Sequence, residues 1–206
     1  TFTCNFLWMC QGYYRHCEGY TPEWPGMDRF DGPVVHPQQW PDDLNYEGKE
    51  VVVIGSGATA ATIVPALAAK TSHITMLQRS PTYFAAGRNE NEVAVMLREL
   101  DIDEEWIHEI VRRKILFDQA QIAQAAVHYP EMVKEELYGR MREYLGDDYD
   151  MAPHFTPSYR PWQQRLAFVP DGDLFQAIAA GDASVVTDDI ETFTETGVQL
   201  VSGETL

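Results

Sequence analysis

Val51-Val52-Val53-Ile54-Gly55-Ser56-Gly57-Ala58-Thr59-Ala60 is the stretch on which the reading of the fold turns. Its first four residues are apolar and β-branched, the pattern of a strand buried on both faces. Gly55-Ser56-Gly57 breaks that run. Ala58 to Lys70 is Ala-rich and reads as a helix, which Pro65 is expected to kink or shorten because it removes a backbone donor. His73 to Leu77 reads as a second strand that closes at Gln78-Arg79-Ser80-Pro81. These pieces make a β-turn-α-β unit of about 30 residues, the opening of a doubly wound α/β domain.

The turn itself, Gly55 to Ala60, fits GxGxx(G/A). Gly55 permits a tight turn, Gly57 lets a pyrophosphate approach a backbone without a Cβ, and Ala60 allows close helix–strand packing. Free N–H groups at the helix start then bind phosphate. A Gly-rich turn that binds nothing carries the same letters. The strand before it and the helix after it favour a dinucleotide. The end of the second strand selects which one. An NAD site places Asp or Glu there for the ribose hydroxyl, whereas this chain has Arg79, 24 positions after Gly55, with Ser80 beside it. Arg clamps a phosphate in bidentate fashion, so NADP is the expected cofactor. A solvated surface arginine is the plainer alternative.

Working outward, Thr3 to Cys10 is short, apolar and aromatic and reads as a buried strand. Gly19 to Pro33 and Trp40 to Gly48 read as loops. Asn89 to Gly146 is helical: Asp101 or Asp103 can cap one helix, and Pro130 can open another that keeps Val133, Leu137, Met141, Tyr144 and Leu145 on one face and ends at Gly146. The aromatic and Met residues of this stretch read as core or interdomain packing. Asp147 to Pro161 is loop-like, Asp173 to Ala180 a short helix, and Ser184–Thr187, Ile190–Thr194 and Val198–Val201 short strands.

Composition bounds the rest. The 206 residues are 45% hydrophobic and 23% charged, ordinary for a globular chain. Fifteen Lys+Arg against 32 Asp+Glu give a formal charge of −17. Such a surface repels nucleic acid and anionic lipid. No apolar run approaches the roughly 18 residues of a membrane span, and the first ten residues lack the basic start of a signal peptide. Cys4, Cys10 and Cys17 form no CxxC or CxxH pair, so neither a zinc site nor a disulfide scaffold is expected, and a cytoplasmic setting with reduced thiols is. His108, His128 and His154 lack metal-ligand spacing and receive no role.

Upstream of the strand lies Phe30-Asp31-Gly32-Pro33-Val34-Val35-His36-Pro37-Gln38-Gln39-Trp40-Pro41. Read residue by residue, it is an aromatic, Pro-braced loop in which His36 is either structural or catalytic. As a whole it resembles the FxGxxxHxxxW(P/D) fingerprint of the class B flavoprotein monooxygenases, which include flavin-containing and Baeyer–Villiger monooxygenases. Asn45 to Lys49 is similar to the family's linker into the NADP-binding strand, and Met9 to Tyr14 to its exit from the FAD domain. Pro161-Trp162-Gln163-Gln164-Arg165-Leu166, followed by Asp171 to Phe175, resembles the region that carries the Baeyer–Villiger active-site arginine.

The resemblance implies an α/β fold: a Rossmann-like NADP-binding domain with a helical insertion and partial strands of an FAD-binding domain. It divides the chain into an FAD-domain exit and fingerprint loop (1–40), an NADP-binding core (41–88), a helical insertion (89–150) and a return segment (151–206). It implies NADPH and FAD as cofactors, dioxygen and a small organic substrate as partners, and oxygenation of ketones or soft nitrogen and sulfur centres by a flavin peroxide. Gly55, Ser56, Gly57, Ala58, Thr59, Arg79, Ser80 and Trp40 would serve the cofactor. His36 would couple the cofactor domains, and Arg165 would stabilise the flavin peroxide, an interdomain salt bridge being its bland alternative. Only 29 residues precede Phe30, so the family's FAD fingerprint is missing. The chain is expected to be an incomplete piece that depends on absent FAD-domain segments. A dehydrogenase or reductase and a non-catalytic dinucleotide-binding module are the alternatives. The reductase family does not carry the Phe30–Pro41 fingerprint, and the chain lacks its redox CxxxxC pair.

Overall fold

The computed structural model describes residues 1, 3–10, 12 and 15–206. The decisive unit forms as read. β1 (Glu50–Ile54) leads through the Gly55–Gly57 turn into α1 (Ala58–Ala68), and β2 (His73–Gln78) follows. The strands are parallel, with Glu50 opposite His73 and Ile54 opposite Leu77. Pro65 lies inside α1, three residues from its end, and the helix stops short of Lys70. One face of α1 buries Ala60, Ala61, Val64, Leu67 and Ala68. Small side chains there let the helix lie close on the sheet.

Beyond β2 the chain makes β3 (Tyr83–Gly87), α2 (Glu92–Glu99), α3 (Glu104–His128) and α4 (Pro130–Leu145). It returns through β4 (Leu166–Pro170), α5 (Asp173–Ala180), β5 (Ala183–Thr187) and a β6 (Ile190–Phe193) to β7 (Val198–Leu200) hairpin. β5 joins the first sheet on the other side of β2, giving the parallel order β1-β2-β5. A central strand covered on both sides should be apolar throughout, and Ile74, Met76 and Leu77 are each at most 1% exposed. Burying each of them contributes about 1.5–3 kcal/mol.

β3 and β4 pair in parallel as a second sheet, Tyr83 opposite Leu166. Neither is anticipated from sequence: β3 has two alanines and a glycine, β4 ends in proline, and two such short segments carry no strand signal until their pairing is known. An aromatic triangle welds this sheet to the rest: Phe84, Phe155 and Phe175 stand 5.7 to 5.9 Å apart, edge to face. The hairpin is anchored separately, by Trp24 and Phe30 against Phe193, each at 5.9 Å.

One expectation fails. Thr3 to Cys10 forms no strand and is exposed throughout, with Phe6 79% and Trp8 78% accessible. A strand needs a neighbouring ladder, and none of the described strands pairs with it. Gln11, Tyr13 and Tyr14 of the Met9–Tyr14 resemblance lie outside the described residues. In the helical stretch the core reading holds for Val133, Leu137 and Met141, whereas Trp106, Phe117, Tyr129 and Met132 are exposed. α3 scatters apolar residues around its whole circumference and buries only Ile107 and Ala126.

Candidate functional site: the carboxyl edge of the parallel sheet

Ligands of open α/β sheets bind beyond the carboxyl ends of the strands, and Gly55, Ser56, Gly57, Arg79 and Ser80 follow the ends of β1 and β2 at that edge. Gly55 adopts φ +118°, a conformation that side chains disfavour, and its N–H donates to the Leu77 carbonyl at 2.7 Å. This bond sets the turn level with the end of β2. Gly57 is the N-cap of α1 and supplies no side-chain cap. A Cβ built on Gly57 would meet nothing within 4 Å. The protein itself therefore gives no steric reason for glycine there, and space lies open before the uncapped N–H groups of α1. Such a terminus suits an anion.

Arg79 and Ser80 follow β2 directly, one residue beyond the position level with the turn, and both are exposed. Arg79 engages no carboxylate among the described residues, although most of its fellow arginines do: Arg88 pairs with Glu92, Arg98 with Glu104 and Arg140 with Glu136. On a chain of charge −17 this leaves a cation at the sheet edge for a phosphate.

The fingerprint loop lies against the same helix. Pro37 and Trp40, with Ala58, Thr59, Thr62 and Ile63 of α1, line an open groove of about 530 Å³. Trp40 leans edge-on against Tyr46 at 6.1 Å. His36 caps the short turn Pro37–Gln39, its Nδ1 accepting from the Gln38 N–H at 3.2 Å. The imidazole is packed so closely on Gly19 that any Cβ there would displace the ring. Gln38 donates to the carbonyls of Arg15 and His16, and Gln39 to that of Cys17. The loop is thus tied to the segment before it and to α1 after it. His36 serves this architecture.

Arg165 is exposed and immediately precedes β4. Its carbonyl accepts from the Thr82 hydroxyl at 3.5 Å, and Thr82 lies three residues after Arg79. The β3–β4 register therefore holds the Arg165 backbone beside Thr82, three residues along the chain from Arg79. Tyr159 adds a second clamp: its carbonyl accepts from the Tyr83 hydroxyl at 2.7 Å, and its own hydroxyl bonds Thr82 at 3.2 Å. Burial, and then the neighbouring Tyr138, push the Tyr83 phenol well above its usual range, so it remains a donor.

A further polar cluster at this edge has no sequence signal. Gln78, 1% exposed, donates to the His154 carbonyl at 2.7 Å and to Thr187 at 3.0 Å. Thr187 lies 2.9 Å from His154 Nδ1. Burial lowers the His154 pKa, partly offset by Asp150, so the ring is held neutral. Gln78 Oε1 is buried without a partner among the described residues. Cys4, Cys10 and Cys17 are free and exposed, and no group of metal-ligating residues occurs among the described residues. No helix is long and apolar enough to cross a membrane among those residues.

Comparison with known proteins finds relatives in sequence and in fold. Residues 4–98 match the family model described as flavin-binding monooxygenase-like. The chain is 47% identical over 207 residues to the putative FAD-containing monooxygenase MymA of Mycobacterium tuberculosis, covering 98% of this chain and 41% of that protein. It is 46% identical to the FAD-containing monooxygenase EthA of the same species, covering 99% and 42%. Its fold is similar to that of an NADP+-bound cyclohexanone monooxygenase from Rhodococcus sp. Phi1, with a TM-score of 0.64 at 20% identity over 91% of this chain and 42% of that one. The chain thus spans about 41% of the length of the curated relatives it matches. By the family match over the fingerprint loop and dinucleotide turn, and by identity along nearly its whole length, the chain is similar to flavin-binding monooxygenase-like proteins.

Proposed function

We propose that this chain is the NADPH-binding part of a flavin-dependent monooxygenase acting on a small organic substrate. The observation that carries the reading is the Gly55–Thr59 turn, with its open approach at Gly57 and uncapped helix start, beside an arginine without a carboxylate partner. Gly55, Ser56, Gly57, Ala58 and Thr59 would hold the pyrophosphate, and Arg79 with Ser80 the 2′-phosphate. Trp40 and the loop held by His36 form the wall opposite α1, where a bound cofactor meets the fingerprint. The division at residues 40, 88 and 150 follows the same reading.

FAD, held largely by segments outside this chain, would carry the electrons of NADPH to dioxygen and so activate it, which no side chain here can do. Arg165 would place a permanent planar cation where negative charge develops on the reacting oxygen. The relatives' names, FAD-containing monooxygenase, support this assignment. Ketones and soft nitrogen or sulfur centres are the substrate classes that suit such an oxidant. The exposed free thiols favour a reducing, cytoplasmic setting.

The test uses the FAD-loaded full-length enzyme that contains this segment, supplied with NADPH, dioxygen and either phenylacetone or thioanisole. Consumption of NADPH and dioxygen together with an ester or sulfoxide product is expected. NADP reduction without oxygen uptake would replace the assignment with a dehydrogenase. The 206-residue chain alone is expected to bind NADPH weakly and to show no turnover.

A further inference from the structure

The segment Arg160-Pro161-Trp162-Gln163 is a tight turn: the Gln163 N–H donates to the Arg160 carbonyl at 3.1 Å, and the Gln163 side-chain carbonyl accepts from the Arg160 N–H at 3.3 Å. Proline in the second position sets a negative φ there, while Trp162 in the third has φ +63°. That combination is a type II turn, whose third position calls for glycine or asparagine. A bulky aromatic residue with left-handed backbone is an outlier. The other non-glycine residues of positive φ, Asp101 and Asp171, are of a type that tolerates it.

The strain does not bury the ring. Pro161 is buried and Trp162 is 51% exposed, with its indole in no aromatic pair among the described residues. Packing therefore does not account for tryptophan at this position. The turn is also held from both sides. Tyr159 before it is bonded to Thr82 and Tyr83, and Arg165 after it receives the Thr82 hydroxyl. A strained, rigidly clamped and outward-facing apolar side chain three residues from Arg165 fits a functional constraint.

We propose that the Trp162 indole is the wall against which the apolar part of the organic substrate packs beside Arg165. The proposal rests on the monooxygenase reading above and names a residue that sets substrate preference. A rigid aromatic surface gives contact area at little entropic cost, and its benefit grows with the apolar area of the substrate.

The experiment compares wild type with Trp162→Gly, Trp162→Ala and Trp162→Phe in the FAD-loaded full-length enzyme, using thioanisole and dimethyl sulfide with NADPH. For Trp162→Gly, KM for thioanisole is expected to rise about tenfold, more than for dimethyl sulfide, with KM for NADPH unchanged and Trp162→Phe restoring most of the loss. Thermal unfolding gives the readout independent of turnover. Trp162→Gly is expected to melt within about 2 °C of wild type and at or above Trp162→Ala, because glycine relieves the strain and alanine does not. A large fall in Tm for both variants would make the ring a packing residue and overturn the proposal. So would a rise in KM for NADPH alone, which would assign the indole to the nicotinamide. Wild-type turnover with unchanged KM for thioanisole in Trp162→Gly would overturn this proposal and leave the monooxygenase reading standing. Absence of any wild-type oxygenation would remove both.

Discussion

His154 shows how a single side chain acquires a role from its surroundings. The Gln78 amide donates to both the His154 carbonyl and the Thr187 hydroxyl oxygen, which leaves the Thr187 hydrogen to donate to His154 Nδ1. The bond thus suits a neutral ring, and burial lowers its pKa below the ordinary 6.5. In the unfolded chain the ring takes a proton near 6.5; in the fold it resists until lower pH. The unfolded state therefore binds more protons in this window, so stability contributed by the neutral ring is present above pH 6.5 and is lost as pH falls through the folded value. Chemical denaturation at pH 7 and pH 5 is expected to show a loss for wild type that His154→Asn reduces, since Asn keeps a polar partner for Thr187 without titrating. Equal losses in the two proteins would contradict this account. Nothing in the sequence marks His154, because its partners lie 76 and 33 positions away.

At the scale of elements, the β1-turn-α1-β2 unit was the most legible part of the chain. Its signal is local: a β-branched run, two glycines and an Ala-rich helix. α5 and the tail strands were legible for the same reason, each bounded by turn residues. β3 and β4 were not, since parallel pairing of Tyr83 with Leu166 is a property of two distant segments. Thr3–Cys10 misled in the opposite way, having the composition of a strand without a partner ladder among the described residues. The two turn glycines separate by mechanism. Gly55→Ala places a side chain at φ +118° and is expected to cost about 1–2 kcal/mol of stability. Gly57→Ala enters open space and is expected to leave stability within about 0.5 kcal/mol of wild type. It should nevertheless weaken NADPH binding at least about tenfold, because its methyl group occupies the pyrophosphate approach. Thermal unfolding and NADPH titration of both variants check the pair. Gly57→Ala that binds NADPH normally would remove the turn from the site.

Across the whole molecule, the topology gathers what the sequence scatters. The parallel sheet puts the dinucleotide turn and Arg79 at one edge, and the β3–β4 pair holds the Arg165 backbone beside Thr82. The proposed cofactor end of the site was therefore readable as a motif, whereas the clamp by Tyr159, the Gln78 cluster and the turn at Trp162 exist only in three dimensions. The net charge of −17 gives Arg79 its significance, since a phosphate approaching so acidic a chain needs a local cation. Calorimetric titration of this chain with NADPH and NADH, repeated with Arg79→Ala, tests that claim most directly. A charge-assisted bidentate contact predicts NADPH binding about 10- to 100-fold tighter than NADH, with the difference abolished in the variant. Equal affinity for the two nucleotides in wild type, or undiminished NADPH preference in Arg79→Ala, would contradict the account.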